Sequence, residues 1–447
     1  MRAADLAGPK ALAALPVWAL FFYGNAVLGQ NVPQMTTSIS DFATEADFAD
    51  LPTNDRGRNQ SVAQRHWPAY DALGVDFPAG LQLLPRLTAG GGYTDNLYRT
   101  GTSATSAQFL AVAPAVNLIS TWSQDAVWAG ASADLRRYPD YSSENENRWR
   151  VNAGGRLDLT PESFLEGGAS FTDNYEDRGG SASPLLATGP VGYSLPQAYV
   201  KAASVQARSR FSLLGQLAKF DYHDVGSADG GVLDQHYRDE RILRLQAKAE
   251  YGLFPEAAGF GEVTFTKSDF TAEQPIVQGR DSNDVRFLAG ANFDLAELLR
   301  GELAAGYVRR HFDSAVLQPV AGLAVLASIE YFPTPLTTLT LRLRRAIEDS
   351  TLALPTSLFA NSAELRLDHE LLRNLVLGAQ FTYRLEQFQD SPREDRVLLA
   401  AASARYLLSS SWSFELGVSR LKRTTTEPLL APQYRSTDLF LRVTLQH

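Results

Sequence analysis

One pattern constrains this chain more than any other: apolar and polar residues alternate, segment after segment, and no helical layer intervenes to cover the apolar side. Residues 149–175 hold the clearest copy. Trp149, Val151, Ala153, Leu157 and Leu159 share one parity, while Arg148, Arg150, Asn152, Arg156 and Asp158 share the other. A polar turn at 160–163 follows. The alternation then resumes with Leu165, Gly167, Ala169 and Phe171 against Glu166, Gly168, Ser170 and Thr172. Successive side chains of a strand point to opposite faces, so the stretch reads as a hairpin with one apolar and one charged face. The same unit recurs to the C-terminus.

Composition fits a β-rich chain of this kind. The 447 residues are 45% hydrophobic and 20% charged, with 33 glycines. The mean hydropathy of -0.18 argues against helical membrane spans but not against a transmembrane barrel, whose strands are half polar because the lumen is wet. There is no cysteine, which excludes disulfides and thiolate metal sites. The net charge of -9, without a basic run or a basic-aromatic stripe, gives no basis for nucleic-acid binding.

In chain order, residues 1–29 read as a secretory signal: Arg2 and Lys10, an apolar run over 11–23, then small residues at Gly24, Ala26 and Gly29. The run is too short for a spanning helix and contains Pro16. Residues 30–83 are expected as a flexible periplasmic N-terminal segment. Its polar, acidic first part is too short to plug a wide barrel, and its second part is an irregular collar with Pro68, Gly74, Pro78 and Gly80.

Pro68, Tyr70, Asp71, Leu73 and Gly74, followed by Pro85, Leu87, Thr88, Gly90, Tyr93, Asp95 and Asn96, carry a resemblance. In this order and spacing they resemble the opening of a family of outer-membrane β-barrel porins associated with exopolysaccharide biosynthesis and export. The resemblance implies a barrel and a polysaccharide cargo. The motif is structural and transfers no catalytic residue.

Residues 84–447 read as the barrel itself, an all-β, transmembrane antiparallel β-barrel of about eighteen strands. The strands are read at 84–98, 105–121, 124–138, 148–159, 163–176, 197–209, 210–224, 237–251, 258–270, 281–295, 300–313, 316–332, 335–348, 358–371, 374–388, 395–408, 412–425 and 435–446. Tight turns at 160–163, 254–257, 296–300, 332–335, 371–374 and 409–411 alternate with longer polar loops at 139–147, 177–196, 225–236, 271–280 and 427–434. Short periplasmic turns, long external loops and an even strand number are the marks of outer-membrane barrels. Around 211–225 and 396–408 both parities are apolar and no face is assigned, while 317–331 is apolar enough to read as a buried strand of a soluble protein.

One parity suits lipid, as at Leu243, Leu245 and Ala247 or at Leu439, Leu441, Val443 and Leu445. Tyr93, Tyr98, Trp122, Tyr138, Trp149, Tyr175, Tyr251, Tyr331, Tyr383 and Trp412 lie near strand ends, as interfacial girdles would. The opposite parity is charged. Arg148, Arg150, Arg156, Arg244, Lys248, Arg342, Arg344, Arg366 and Arg384 are candidate pore-lining cations, with Asp158, Glu166, Glu250 and Glu364 as candidate pore-lining anions. They read either as an arginine ladder for an anionic polymer or solute, or as charges that neutralise one another across strands and hydrate a pore. Near-equal numbers favour the second. Arg148, Arg150, Arg342 and Arg344 stand out for selectivity, because each pair is two apart on one face.

His66, His223, His236, His311, His369 and His447 lie mostly at strand ends or in loops, without a Gly-x-Ser-x-Gly elbow or a His-Glu-x-x-His pair, so neither enzymatic activity, cofactor nor metal is expected. The expectation is an outer-membrane channel for a hydrophilic substrate. Exopolysaccharide export, suggested by the resemblance, would draw in periplasmic export machinery. Uptake of small hydrophilic solutes and a non-conducting scaffold occluded by the 177–196 loop are the alternatives.

Overall fold

The computed structural model describes residues 61–447 except 64, 66, 181, 182, 185, 272–279, 297, 351–356 and 390. The stretch expected to be a signal sequence, the first half of the N-terminal segment, His66 and most of the 271–280 loop lie outside the described residues. Among the described residues, eighteen long strands form one antiparallel sheet. They are β1 (Leu81–Thr94), β2 (Ala107–Ser120), β3 (Ala126–Arg137), β4 (Glu146–Thr160), β5 (Ser163–Tyr175) and β6 (Gly192–Gln206). Then come β7 (Ser209–Tyr222), β8 (Glu240–Phe254), β9 (Ala257–Phe270), β10 (Ser282–Leu295), β11 (Leu299–Phe312) and β12 (Val320–Thr334). The last six are β13 (Thr337–Asp349), β14 (Ser357–Leu372), β15 (Leu375–Phe388), β16 (Glu394–Leu407), β17 (Trp412–Thr425) and β18 (Tyr434–Gln446). Each pairs with its sequence neighbours, and β1 closes the ring on β18, with Thr88 opposite Thr444 and Thr94 opposite Asp438. Closure satisfies every edge, as a membrane-spanning sheet requires.

Burial is inverted relative to a soluble protein. On β17, Trp412, Phe414, Leu416 and Val418 are exposed on the outside, while Glu415, Ser419 and Arg423 are buried on the inside. On β4 the same parity rule puts Trp149, Val151 and Leu157 outside and Arg148, Arg150 and Arg156 inside. The faces left open by the sequence are now assigned. On β7, Phe211, Leu213 and Leu217 face out, while Ala218, Phe220 and Tyr222 face in and pack with Tyr193. On β16, Asp395, Ala401 and Arg405 face in, and Ala400, Ala402 and Tyr406 face out.

Three departures have physical causes. First, β6 begins at Gly192, so Pro196 lies within a strand rather than closing the preceding loop. It pairs with Phe171 on β5, but its missing N–H interrupts the ladder to β7 between Ser194 and Gln197. Second, Tyr138 is not in an outer girdle. It packs inward with Leu97, Phe109 and Phe440, and Tyr98 joins the same cluster. Third, the apolar 317–331 stretch belongs to the barrel wall. Its inner face, Val320, Ala324 and Leu326, packs with Val308 and Phe312 of β11.

What covers that apolar inner patch is the far end of β13 and β14. The β12–β13 ladder stops at Val325 opposite Arg345, although β12 continues to Val320 along β11. Beyond the stop, Ile347 and Phe359, which parity alone would place outside, turn onto the inner surface of β11 and β12. A Cβ at Gly322 would come within 2.8 Å of the Phe359 ring. The hairpin end is thus tucked into the lumen.

Candidate functional site

The inner wall is an array of ion pairs, and most of the sequence candidates belong to it. Lys248 Nζ lies 2.7 Å from Glu302 and 3.3 Å from Glu250. Arg156 Nε donates to Asp158 at 2.7 Å and its guanidinium stacks 3.9 Å from the Phe164 ring. Glu166, opposite Arg156 in register, accepts a 3.0 Å bond from the Tyr199 hydroxyl. Arg366 is bidentate to Asp368 at 2.7 and 2.9 Å. Arg384 bridges Glu348 at 2.6 Å and Glu386 at 2.8 Å, and Arg344 also holds Glu348. Arg244 borders an inner cavity of about 80 Å³ with Asp284, Arg310 and Glu348.

The four arginines singled out for selectivity have different surroundings. Arg344 is buried in its pair with Glu348. Arg342 is half exposed, 3.8 Å from Glu364. Arg148 lies 2.8 Å from Glu146. Among the described residues, Arg150 has no carboxylate within ion-pair distance. The sequence carried a stronger signal than paired arginines: a cation followed two residues later by an anion. Lys248-x-Glu250, Arg156-x-Asp158, Arg366-x-Asp368 and Arg384-x-Glu386 are all contacts along one strand face, and Arg393, just before β16, reaches Asp395 with the same spacing. Residues two apart on a strand share a face, so this spacing neutralises a wall without help from a neighbouring strand.

Chain is held inside both mouths. At the long-loop end, the loop after β5 reaches through Gly179 to β17 and β18, six and five strands away around the ring. The Gly179 carbonyl accepts hydrogen bonds from Arg423 of β17 at 2.6 Å and from the Tyr434 hydroxyl of β18 at 3.1 Å. Beside it, Arg99 lies between Asp177 and Asp438. The loop is braced by Arg178, which donates to Glu144 and to the carbonyls of Ala187 and Gly189. Its root is tied by the buried pair of Arg238 and Glu176. At the short-turn end, Val62 N–H donates to Thr338 Oγ1 on β13 at 2.9 Å, and Arg65 pairs with Glu370 on β14. The Tyr70 carbonyl accepts from Gln446 of β18 at 3.1 Å. Val62, Arg65 and Tyr70 are therefore fixed on the inner face at that opening.

A closed eighteen-stranded wall, apolar outside and ion-paired inside, with its loops turned into the lumen, defines a class of molecule. In sequence, residues 68–447 match the family described as "Putative beta-barrel porin 2". The chain belongs to this family. It is an outer-membrane β-barrel porin.

Solved structures similar to this porin include Pseudomonas aeruginosa OpdL (12% identity, 82% of this chain and 99% of that one, TM-score 0.44) and P. aeruginosa OccK9, also called OpdG (11% identity, 83% and 100%, TM-score 0.46). P. aeruginosa OccK2 (OpdF) in complex with glucuronate is similar at 12% identity over 81% of this chain and 97% of that one, with a TM-score of 0.44. No protein of curated function matches the porin's sequence.

The histidines are dispersed. His369 Nδ1 lies 2.9 Å from the Thr337 hydroxyl near the short-turn end. His236 lies in the loop after β7, where Asp221, Asp239, Asp224 and Asp234 bring carboxylate oxygens within metal-ligand range of its ring. Those groups already bond one another. Lys219 holds Asp221 at 2.6 Å, and Asp239 holds His236 Nδ1 at 3.2 Å and the Tyr222 N–H at 2.7 Å.

Proposed function

We propose that this porin is a diffusion channel through which small hydrophilic solutes enter across the outer membrane, and not an exporter of polysaccharide chains. The observation that carries this reading is the bond network on Gly179, which holds the loop after β5 onto β17 and β18 and so narrows the lumen at the long-loop end. A polymer in transit would have to displace that loop along its whole length. A small solute moves past an ion-paired wall whose many weak sites neither exclude it nor hold it. The residues named above as pore-lining are, on this reading, the ones it meets.

Reconstitution tests this directly. In planar bilayers the purified porin should give small, uniform conductance steps in KCl, and proteoliposomes should swell in monosaccharides or small organic acids but not in long oligosaccharides. Absence of any conductance would leave a structural barrel. Deletion of the gene separates uptake from export: slower solute entry with unchanged polysaccharide secretion is the expected result. Lost secretion with normal solute entry would establish export and call for a periplasmic partner.

A further inference from the structure

Across most of the inner wall each cation has its acid, but β1–β4 and β18 break the rule. Strand register lays out this region as a grid. Arg136, Ala111, Gly90 and Arg442 lie opposite one another across β3, β2, β1 and β18. One step toward the short turns, Arg148 lies opposite Asp134, and Thr88 lies opposite Ala113. One further step brings Arg150, Ser132, Ala115 and Arg86 into line. In its first two rows the centre of the grid, on β1 and β2, therefore carries nothing longer than threonine, and Arg86 of β1 bounds it one row below. Both sides carry arginine.

The flanking guanidiniums are supported from below. Arg136 lies 4.9 Å from the Phe109 ring centroid and Arg442 lies 4.3 Å from that of Phe440, a cation–π arrangement that fixes each over an aromatic face. Arg442 leans over the floor, since a Cβ at Gly90 would come within 3.0 Å of its Cγ. The acids present are too few. Glu146 is engaged by Arg148, and Glu415, opposite Arg442 in register, is shared with Arg405, which leaves Asp134 as the acid beside Arg136 and Arg150. The Nε atoms of Arg136, Arg148 and Arg150 are buried without a hydrogen-bond partner among the described residues. Buried donors without acceptors are costly to leave unmatched.

We infer that this cleft is a binding site for small dicarboxylates. A guanidinium fork matches a carboxylate in two parallel hydrogen bonds. Two forks stand on either side of a floor two strands wide, about 14 Å across between the backbones of β3 and β18. A solute with a carboxylate at each end of a short apolar spacer reaches both flanks and lays its spacer over Gly90, Ala111 and Ala113. The site deepens the diffusion-channel reading and rests on it for its role, though not for its existence.

The test uses succinate, with acetate for comparison, on the full-length barrel folded in detergent and in planar bilayers. Titration calorimetry should show succinate binding saturably and at least tenfold more tightly than acetate. Arg150→Ala with Arg442→Ala should weaken succinate binding at least tenfold, and Arg150→Lys with Arg442→Lys, which keeps charge but loses the forks, should fall between. Arg396→Ala on the outer face should change nothing, and unchanged heat-modifiable migration confirms that each variant is folded. In a KCl gradient the reversal potential should report anion preference in the wild type and shift toward cations in the alanine variant. Succinate affinity that is absent, equal to that of acetate, or untouched by the double alanine variant overturns the cleft. Binding retained in a barrel that passes no KCl would overturn only the channel reading.

Discussion

Arg423 of β17 donates a 2.6 Å hydrogen bond to the backbone carbonyl of Gly179, 244 residues earlier in the loop after β5. The same guanidinium holds Asp395, which Arg393 also grips, so its position does not depend on the loop. A fixed donor on the wall and a carbonyl in the loop make a latch that holds the loop inside the lumen.

Removing the latch should widen the channel. Arg423→Ala with Tyr434→Phe leaves the Gly179 carbonyl without either side-chain donor, which destabilises the loop's crossing position by about 1–3 kcal/mol. Asp395 keeps Arg393, so the wall should survive. Larger single-channel conductance and faster protease cleavage within 176–191 on intact cells are the expected readouts. An unchanged conductance would mean that the loop does not set the bore.

A second latch closes part of the opposite mouth. Arg65 pairs with Glu370 and also donates to the Pro335 carbonyl. Glu370→Ala should free residues 62–70 from β14 and raise the current noise at the periplasmic side. The charge swap Arg65→Glu with Glu370→Arg should restore quiet traces. If the swap behaves like the single variant, the ion pair is not what seats the segment.

Much of this barrel was legible in its alternation, and the illegible parts share a cause. Parity places a side chain only if the strand stays in the wall, so β4 and β17 read correctly from Trp149 and Trp412 onward. Parity alone would misplace Ile347 and Phe359, because the ends of β13 and β14 leave the wall and present their outer parity to β11 and β12. Pro196 looked like a loop residue because its missing N–H forbids a full ladder, but a strand tolerates the loss on one side. The ion pairs were present as cation-x-anion spacing. The reach of Gly179 to Arg423 was not, since nothing local in a loop encodes a partner on a distant strand.

The outer face sets the membrane fit. Leu441, 55% exposed and near the middle of β18, faces outward beside the similarly exposed Leu416 of β17. Leu441→Arg should cost about 2–4 kcal/mol if the position lies at the bilayer midplane. The folded, heat-modifiable fraction recovered in vesicles should fall, while Lys422→Ala, outside and nearer the rim, should leave it unchanged. Equal folding of both would mean that Leu441 does not face hydrocarbon.

The pair of Lys248 and Glu302, both buried and 2.7 Å apart, distinguishes a neutralised wall from a set of independent charges. Lys248→Met alone strands Glu302 and leaves the less buried Glu250 without this cation, and should destabilise by about 3–5 kcal/mol. Adding Glu302→Met removes the stranded charge, and stability should recover most of the loss. Guanidinium melts of the three barrels in detergent measure this. Additive losses in the double variant would show that the two residues do not act as a pair.

At the long-loop end, His236 gives the structure a pH dependence whose sign is fixed. Its hydrogen bond to Asp239 holds the imidazolium above the usual histidine range, helped by Asp224 and Asp234. The protonated form is therefore favoured in the folded loop. Its contribution is complete below about pH 6.5, the ordinary histidine value, and is lost as pH rises through the raised folded value. Because the ring is largely solvent-exposed, the effect is a local one on residues 223–239. Protease cleavage in that loop should accelerate in the wild type as pH rises above about 6.5, and His236→Gln should cleave at one rate throughout. A wild-type loop cut more slowly as pH rises would reverse the sign, and with it the assignment of Asp239 as the partner of the protonated ring.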